Sequence, residues 1–273
     1  MNKKVRFIIG LGAFVLTLLA FIFLSFGLDW KGVLIRLLLT AVLVGPAYVL
    51  GGSGDFRRVT HEFRNSFRSA KVILIITMVI FIVCVVCIII VWSVLPACSV
   101  SLILRLFCLC IIVGLFEELM FRIVLTKTIF TLTKGSKKAW IVSGVISSLL
   151  FGYMHVMKDI YFGMSGNELI QASAKILLTA SFGFLLFTVY TRHANFYAIA
   201  SLHALYDFVP LLACTIIMGE IKDMEYVTPG ASTATLIIQI VVSLVITVPC
   251  LISAIRQLKK ADVPVLLPCD KSL

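Results

Sequence analysis

Residues 101–132 read SLILRLFCLCIIVGLFEELMFRIVLTKTIFTL. Apolar side chains fill most of this run, yet Glu117, Glu118 and Arg122 stand in its middle. A charged residue at mid-bilayer costs roughly 2.5–3.5 kcal/mol on insertion scales, so three of them within six residues need a reason. At 1.5 Å per residue a helix over the whole run is ~48 Å long, more than the ~30 Å a bilayer core requires. The stretch therefore reads as one long, tilted span carrying a functional polar group.

The surrounding sequence has the same solvent in mind. Of 273 residues, 61% are hydrophobic and 14% charged, with a mean hydropathy of +1.12. A soluble domain is about half apolar and a quarter charged. The chain reads as an all-α integral membrane protein with about eight transmembrane helices in a single membrane domain. The spans fall at 5–28, 32–50, 72–95, 101–132, 139–156, 169–190, 196–218 and 236–255, with boundaries uncertain by about four residues. Three parts follow: helices one to three with a basic loop at 51–71 (residues 1–99), a core of helices four to seven (100–218), and a last helix with a basic tail (219–273).

Charge tests the count. Lys3, Lys4, Arg6, Arg57, Arg58, Arg64, Arg68, Lys71, Lys127, Lys134, Lys137, Lys138, Arg192, Arg256, Lys259, Lys260 and Lys271 fall on alternate connections. The other connections carry Lys31, Lys158 and Lys222. Seventeen against three puts both termini in the cytoplasm with eight spans. The net charge of +11 then reflects orientation, and no nucleic-acid partner is expected. In the 51–71 loop, Phe56, Val59, Phe63 and Phe67 recur at helical spacing among arginines. That pattern suits a helix on an anionic inner leaflet, or an ordinary basic loop. Short loops and the lack of an accessory domain suit a bacterial cytoplasmic membrane.

The eight cysteines, Cys84, Cys87, Cys98, Cys108, Cys110, Cys214, Cys250 and Cys269, mostly sit in apolar runs and read as small hydrophobes. Cys84-x-x-Cys87 has no second pair to complete a zinc site. Cys269 is one residue too early for a prenylation signal. The apolar run after Arg6 is longer than a signal-peptide core and reads as an uncleaved span. No internal repeat is visible.

Three polar groups remain. Successive helical residues are about 100° apart, so Glu117 and Glu118 cannot share a face. Glu118 and Arg122, four apart, can pair along the helix, which frees Glu117 for chemistry. The bland reading is a buried ion pair that orients helices. His155 closes the run Phe151-Gly-Tyr-Met-His155; alone, it reads as a structural histidine. His203 and Asp207 lie one turn apart on one face. There an aspartate can fix an imidazole tautomer, both can bind a metal, or the pair can simply bond two helices. Depth decides whether these groups meet. Only if span four reaches residue 132 does Glu117 rise to ~22 Å above the inner face, within reach of His203 at ~15 Å and His155 at ~24 Å.

Glu117-Glu118-x-x-x-Arg122, Phe151-x-x-x-His155 and His203-x-x-x-Asp207, in this order on successive membrane helices, resemble the CPBP intramembrane proteases. That family holds the type II CAAX prenyl endopeptidases and the bacteriocin-processing or bacteriocin-immunity (ABI) proteins. The resemblance covers about residues 100–210. It implies an endopeptidase acting near the C-terminus of a lipidated or membrane-associated peptide. It further implies that Glu117 activates water, that His155, His203 and Asp207 complete the catalytic site, and that Glu118 and Arg122 support it. Where the family often has Asn, this chain has Asp207.

The residues tell a compatible story. Hydrolysis needs an activated water, an oxyanion stabiliser and a proton for the leaving amine. The alternative cofactor reading is a divalent metal such as zinc held by Glu117, His155, His203 and Asp207. No His-Glu-x-x-His helix accompanies it. Two rival functions share the sequence: a non-catalytic immunity or interaction protein on the same scaffold, and a transporter with a polar path. The missing repeat counts against the transporter. Arg36, Arg105 and Lys175 read as snorkelling cations, with Lys175 also placed to meet a substrate carboxylate.

Overall fold

The computed structural model describes residues 2–24, 27–52, 56, 62–96, 98–133, 135–160, 163–222 and 226–261. Among them the regular structure is helical: α1 (Lys3–Phe23), α2 (Trp30–Ala47), α3 (Phe63–Ser69), α4 (Lys71–Ile90), α5 (Val100–Glu118), α6 (Thr126–Thr131), α7 (Lys137–Met154), α8 (Gly166–His193), α9 (Phe196–Met218) and α10 (Thr233–Lys260). A π-helical segment, Leu119–Leu125, joins α5 to α6 without a break.

Helix starts follow local chemistry. Orphan amide groups at a helix N-terminus need an acceptor, and a short polar side chain supplies one. Ser99 accepts from the Leu102 amide at 3.2 Å, Ser136 from Ala139 at 3.1 Å and Asn195 from Ala198 at 2.8 Å. Ser165 and Glu168 form a reciprocal capping box at the head of α8. Between α8 and α9, Ala194 takes a left-handed conformation, so two long helices reverse within two residues.

Among the described residues, six helices are long and apolar enough to cross a membrane: Trp30–Gly51, Lys71–Ile90, Val100–Thr131, Gly166–His193, Phe196–Met218 and Thr233–Lys260. The chain is an integral multi-pass membrane protein. Each matches a span read from the sequence. The two remaining long helices, α1 and α7, occupy the segments read as spans one and five but fall outside that set. In α7, Lys137, Lys138, Ser143, Ser147 and Ser148 lower the apolar character of the helix. Leu38, Val42, Ile75, Ile82, Val245 and Ile255 are all exposed, as a lipid-facing shell requires.

The core lies where α5, the π segment, α7, α8 and α9 meet. α8 packs along α7 and α10, and α9 along α5 and α4. Gly114 lets α5 and α9 touch: a Cβ there would stand 2.6 Å from the Ala200 carbonyl oxygen. The helices bury Phe116, Phe121, Phe151, Phe182, Phe187 and Leu202 in one cluster.

Several polar expectations change. Lys127, counted among the loop cations, is fully buried, with Nζ 3.5 Å from the Gly51 carbonyl oxygen. It ties the end of α2 to α6 and is not a surface charge. Phe56 packs inward, its ring 5.7 Å from that of Phe196, while its carbonyl accepts from Tyr197 Oη. In α3, Phe63 and Phe67 stack at 5.0 Å with Arg64 and Arg68 exposed. Arg57, Arg58, Val59, Lys134, Cys269 and Lys271 lie outside the described residues. The seven described cysteines are free thiols.

Candidate active site

The polar centre sits at the junction of α5 and the π segment. A π turn is wider than an α turn, is uncommon, and marks functional sites more often than chance. Here it begins directly after Glu118. The Phe121 carbonyl inside it accepts from Thr126 Oγ1 at 2.8 Å and from Ser147 Oγ of α7 at 2.6 Å. The neighbouring helix thereby braces the widened turn.

Glu118 and Arg122 are both completely buried, with Arg122 Nε 3.1 Å from Glu118 Oε2. The contact is an ion pair off the axis of a good hydrogen bond, and the terminal guanidinium nitrogens have no hydrogen-bond partner among the described residues. The guanidinium instead lies 4.8 Å from the centre of the Phe151 ring, a cation–π contact that is strong when desolvated. Gly183 on α8 makes room for it: a Cβ there would stand 2.5 Å from Arg122 Nη2 and 2.8 Å from Phe151 Cδ1.

The same Glu118 holds His203. Its Oε1 is 2.9 Å from His203 Nδ1. A carboxylate in an ion pair is an acceptor, so Nδ1 donates and Nε2 faces the other way. Nε2 lies 3.5 Å from Glu117 Oε2 and 3.4 Å from Asp207 Oδ2. His155 repeats the pattern with a backbone acceptor. Its Nδ1 is 2.9 Å from the Phe151 carbonyl oxygen, which accepts only, so Nδ1 carries hydrogen. Its Nε2 is turned toward Glu117 Oε2 at 3.9 Å.

All four expected catalytic residues thus come together. Glu117 Oε2 is their meeting point, and it has no hydrogen-bond partner among the described residues. Side-chain exposure separates the roles: Glu117 is 20% open and His155 23%, Asp207 is 29% open and His203 2%, and Glu118 is sealed. The rings of Phe151 and Phe182 stand edge-on to His203 at 5.7 and 5.4 Å and close the apolar side of the site.

Asp207 opens onto a cavity of about 120 Å³ that it lines with Arg36, Cys110, Ile221, Lys222 and Tyr226. Arg36 is not simply snorkelling: its Nη1 donates to the Gly27 carbonyl at 2.9 Å while the side chain borders this cavity. Ile221, Lys222 and Tyr226 reach it from between α9 and α10. The Tyr226 amide donates to Asp159 Oδ2 at 3.1 Å, Gln171 bonds Thr228 twice, and Lys175 Nζ sits 3.7 Å above the Tyr226 ring. Lys175 is therefore a strut under this strap.

Sequence reading missed three of these features. Glu118 as the partner of His203 spans 85 positions and has no local signal. The Phe151 carbonyl acts through backbone, although the four-residue spacing to His155 was visible. The Tyr226 strap lies in a polar loop with no motif. Asp207 does not reach the Nδ1 of His203, so the carboxylate that fixes the tautomer is Glu118. Among the described residues no group of three or more His, Cys, Asp or Glu side chains is arranged to hold a metal ion.

Residues 99–209 match the family model of the Rce1-like type II CAAX prenyl endopeptidases. No curated protein and no solved structure matches the chain. The matched stretch runs from the cap of α5 to the middle of α9 and contains Glu117, Glu118, Arg122, Phe151, His155, His203 and Asp207. Residues 99–209 thus carry an Rce1-like type II CAAX prenyl endopeptidase domain, in keeping with the resemblance to the CPBP proteases.

Proposed function

We propose that the protein is an intramembrane endopeptidase that hydrolyses a peptide bond near the C-terminus of a lipidated or membrane-associated peptide, with Glu117 as the base. The supporting observation is the convergence of His155 Nε2 and His203 Nε2 on Glu117 Oε2, which has no hydrogen-bond partner among the described residues. Glu118 is already committed to Arg122 and His203, so of the two adjacent glutamates one serves structure and the other chemistry.

In this reading Glu117 takes a proton from water as the water oxygen attacks the scissile carbonyl carbon. Neutral His155 accepts the second water hydrogen at Nε2 and so aims the nucleophile. His203, flanked by Glu118 and Asp207, donates from Nε2 to the oxyanion. The carbon–nitrogen bond then breaks as Glu117 returns its proton to the leaving amine, giving a new carboxyl terminus and a free amine. The substrate enters by the cavity under the Tyr226 strap, and lipid supplies the medium in which its anchor moves.

We also propose eight crossings with both termini in the cytoplasm, in a bacterial cytoplasmic membrane; the alternation of loop cations supports this topology. The test of the function uses the full chain in liposomes with lipidated and unlipidated peptides, and mass spectrometry of the fragments. A single cut close to the peptide C-terminus supports the reading. Intact peptides across a broad panel contradict it and favour an immunity or interaction role.

A further inference from the structure

A second polar feature lies far along the helices from Glu117. The head of α4, the tail of α8 and the tail of α10 enclose a half-open groove of about 880 Å³. Its rim carries Arg68, Lys71, Arg192, Arg256 and Lys260, all exposed. Arg68, Lys71, Arg256 and Lys260 have no hydrogen-bond or ion-pair partner among the described residues.

The floor beneath these cations is built around the buried His193. His193 Nε2 lies 2.7 Å from Ser69 Oγ, and its Nδ1 is 3.0 Å from Glu62 Oε2. Gln257 Nε2 donates to the Ser69 carbonyl at 2.9 Å, and Arg192 Nη1 donates to Gln257 Oε1 at 2.6 Å. Glu62, the one acid lining the groove among the described residues, also accepts from Asn65 at 2.9 Å, so it is engaged by its own neighbours. One wall is apolar: Val72, Pro249 and Ile252. Pro249 lies inside α10 and cannot donate to the previous turn, which softens the helix there.

Charges placed only to orient helices in a membrane need no common focus. Lys3, Lys4 and Lys137 line no part of this groove, whereas these five surround one hollow over a fixed polar floor. A concentrated positive rim above an apolar wall at the ends of membrane helices fits an anionic headgroup whose acyl chains continue along that wall. Arg and Lys heads recognise phosphate oxygens by charge-assisted hydrogen bonds.

We infer that this groove is a binding site for a phosphate group, supplied by the headgroup of an anionic phospholipid of the surrounding leaflet. The phosphate sits between Arg68, Lys71, Arg256 and Lys260, and Arg192 with Gln257 holds the floor in place. The inference is independent of the peptidase reading, since none of these residues lies near Glu117.

The test is native mass spectrometry of the full chain released from micelles containing phosphatidylglycerol or phosphatidylcholine. Wild type is compared with Arg256→Gln/Lys260→Gln and with Lys3→Gln/Lys4→Gln, which removes two exposed cations outside the groove. We expect one retained phosphatidylglycerol in wild type and in the Lys3/Lys4 variant. Its occupancy should fall about tenfold in the groove variant, with no retained phosphatidylcholine. Millimolar inorganic phosphate that leaves the adduct in place assigns the site to lipid; displacement assigns the same cations to free phosphate. Equal melting temperatures of the three proteins in lipid-free detergent show that folding is intact. Equal retention by the groove variant and wild type, or equal loss in the Lys3/Lys4 variant, would overturn the inference.

Discussion

Glu118 Oε1 lies 2.9 Å from His203 Nδ1, so the second glutamate of the pair orients the imidazole that the first glutamate faces. The same carboxylate meets Arg122 through its other oxygen. One sealed side chain therefore ties α5, the π segment and α9 together at the point where Glu117 must be held.

Breaking that tie has a definite cost. Removing one member of a buried pair leaves the other charge uncompensated, a loss of about 3–5 kcal/mol. Glu118→Ala should lower the melting temperature strongly in detergent. Glu118→Gln/Arg122→Met, which removes both charges at similar volume, should recover most of that loss without restoring cleavage. Additive losses in the double variant would contradict the pairing.

Gly183→Ala tests the seat of the guanidinium. A methyl group at this position meets Arg122 Nη2 and Phe151 Cδ1 closer than real contacts allow. Overpacking of this kind costs about 1–3 kcal/mol. Thermal unfolding should register it, and turnover should fall because Phe151 also carries the carbonyl that holds His155. A variant with wild-type melting temperature and turnover would show that Arg122 is free to move.

The Tyr226 strap offers a separate readout. Lys175→Met removes the charge under the Tyr226 ring and keeps much of the volume, while leaving Glu117, His155 and His203 in place. The expected result is a KM raised within about tenfold, the scale of one partly exposed cation–π contact, with kcat nearly unchanged. A fall in kcat at constant KM would move Lys175 from the strap into the chemistry.

Much of this arrangement was legible in the sequence, and the reasons are local. The Glu118–Arg122 pair follows from helical spacing, and the long span around Glu117 from the unbroken apolar run to Leu132. The helix does run from Val100 to Thr131, as the depth argument required. What escaped was non-local or carried by backbone. The π turn after Glu118 has no composition of its own; it depends on Ser147 from α7 and Thr126 from the next turn. Lys127 sat at a span end like any topogenic lysine, yet its ammonium is buried against Gly51 because α1, α2 and α6 close over it. Spans one and five were read from length and position. In α7, Lys137, Lys138 and three serines hold the helix below the hydropathy of the other spans.

The most direct test compares wild type, Glu117→Gln and His203→Ala in liposomes, with a C-terminally labelled peptide and with or without a chelator. Glu117→Gln keeps the shape of the site and removes its base, so cleavage should fall by about 10²–10⁴-fold, at an unchanged melting temperature. His203→Ala should lose cleavage as well, and activity that survives the chelator would fit a base acting without a metal. Full cleavage by a well-folded Glu117→Gln variant would contradict the account.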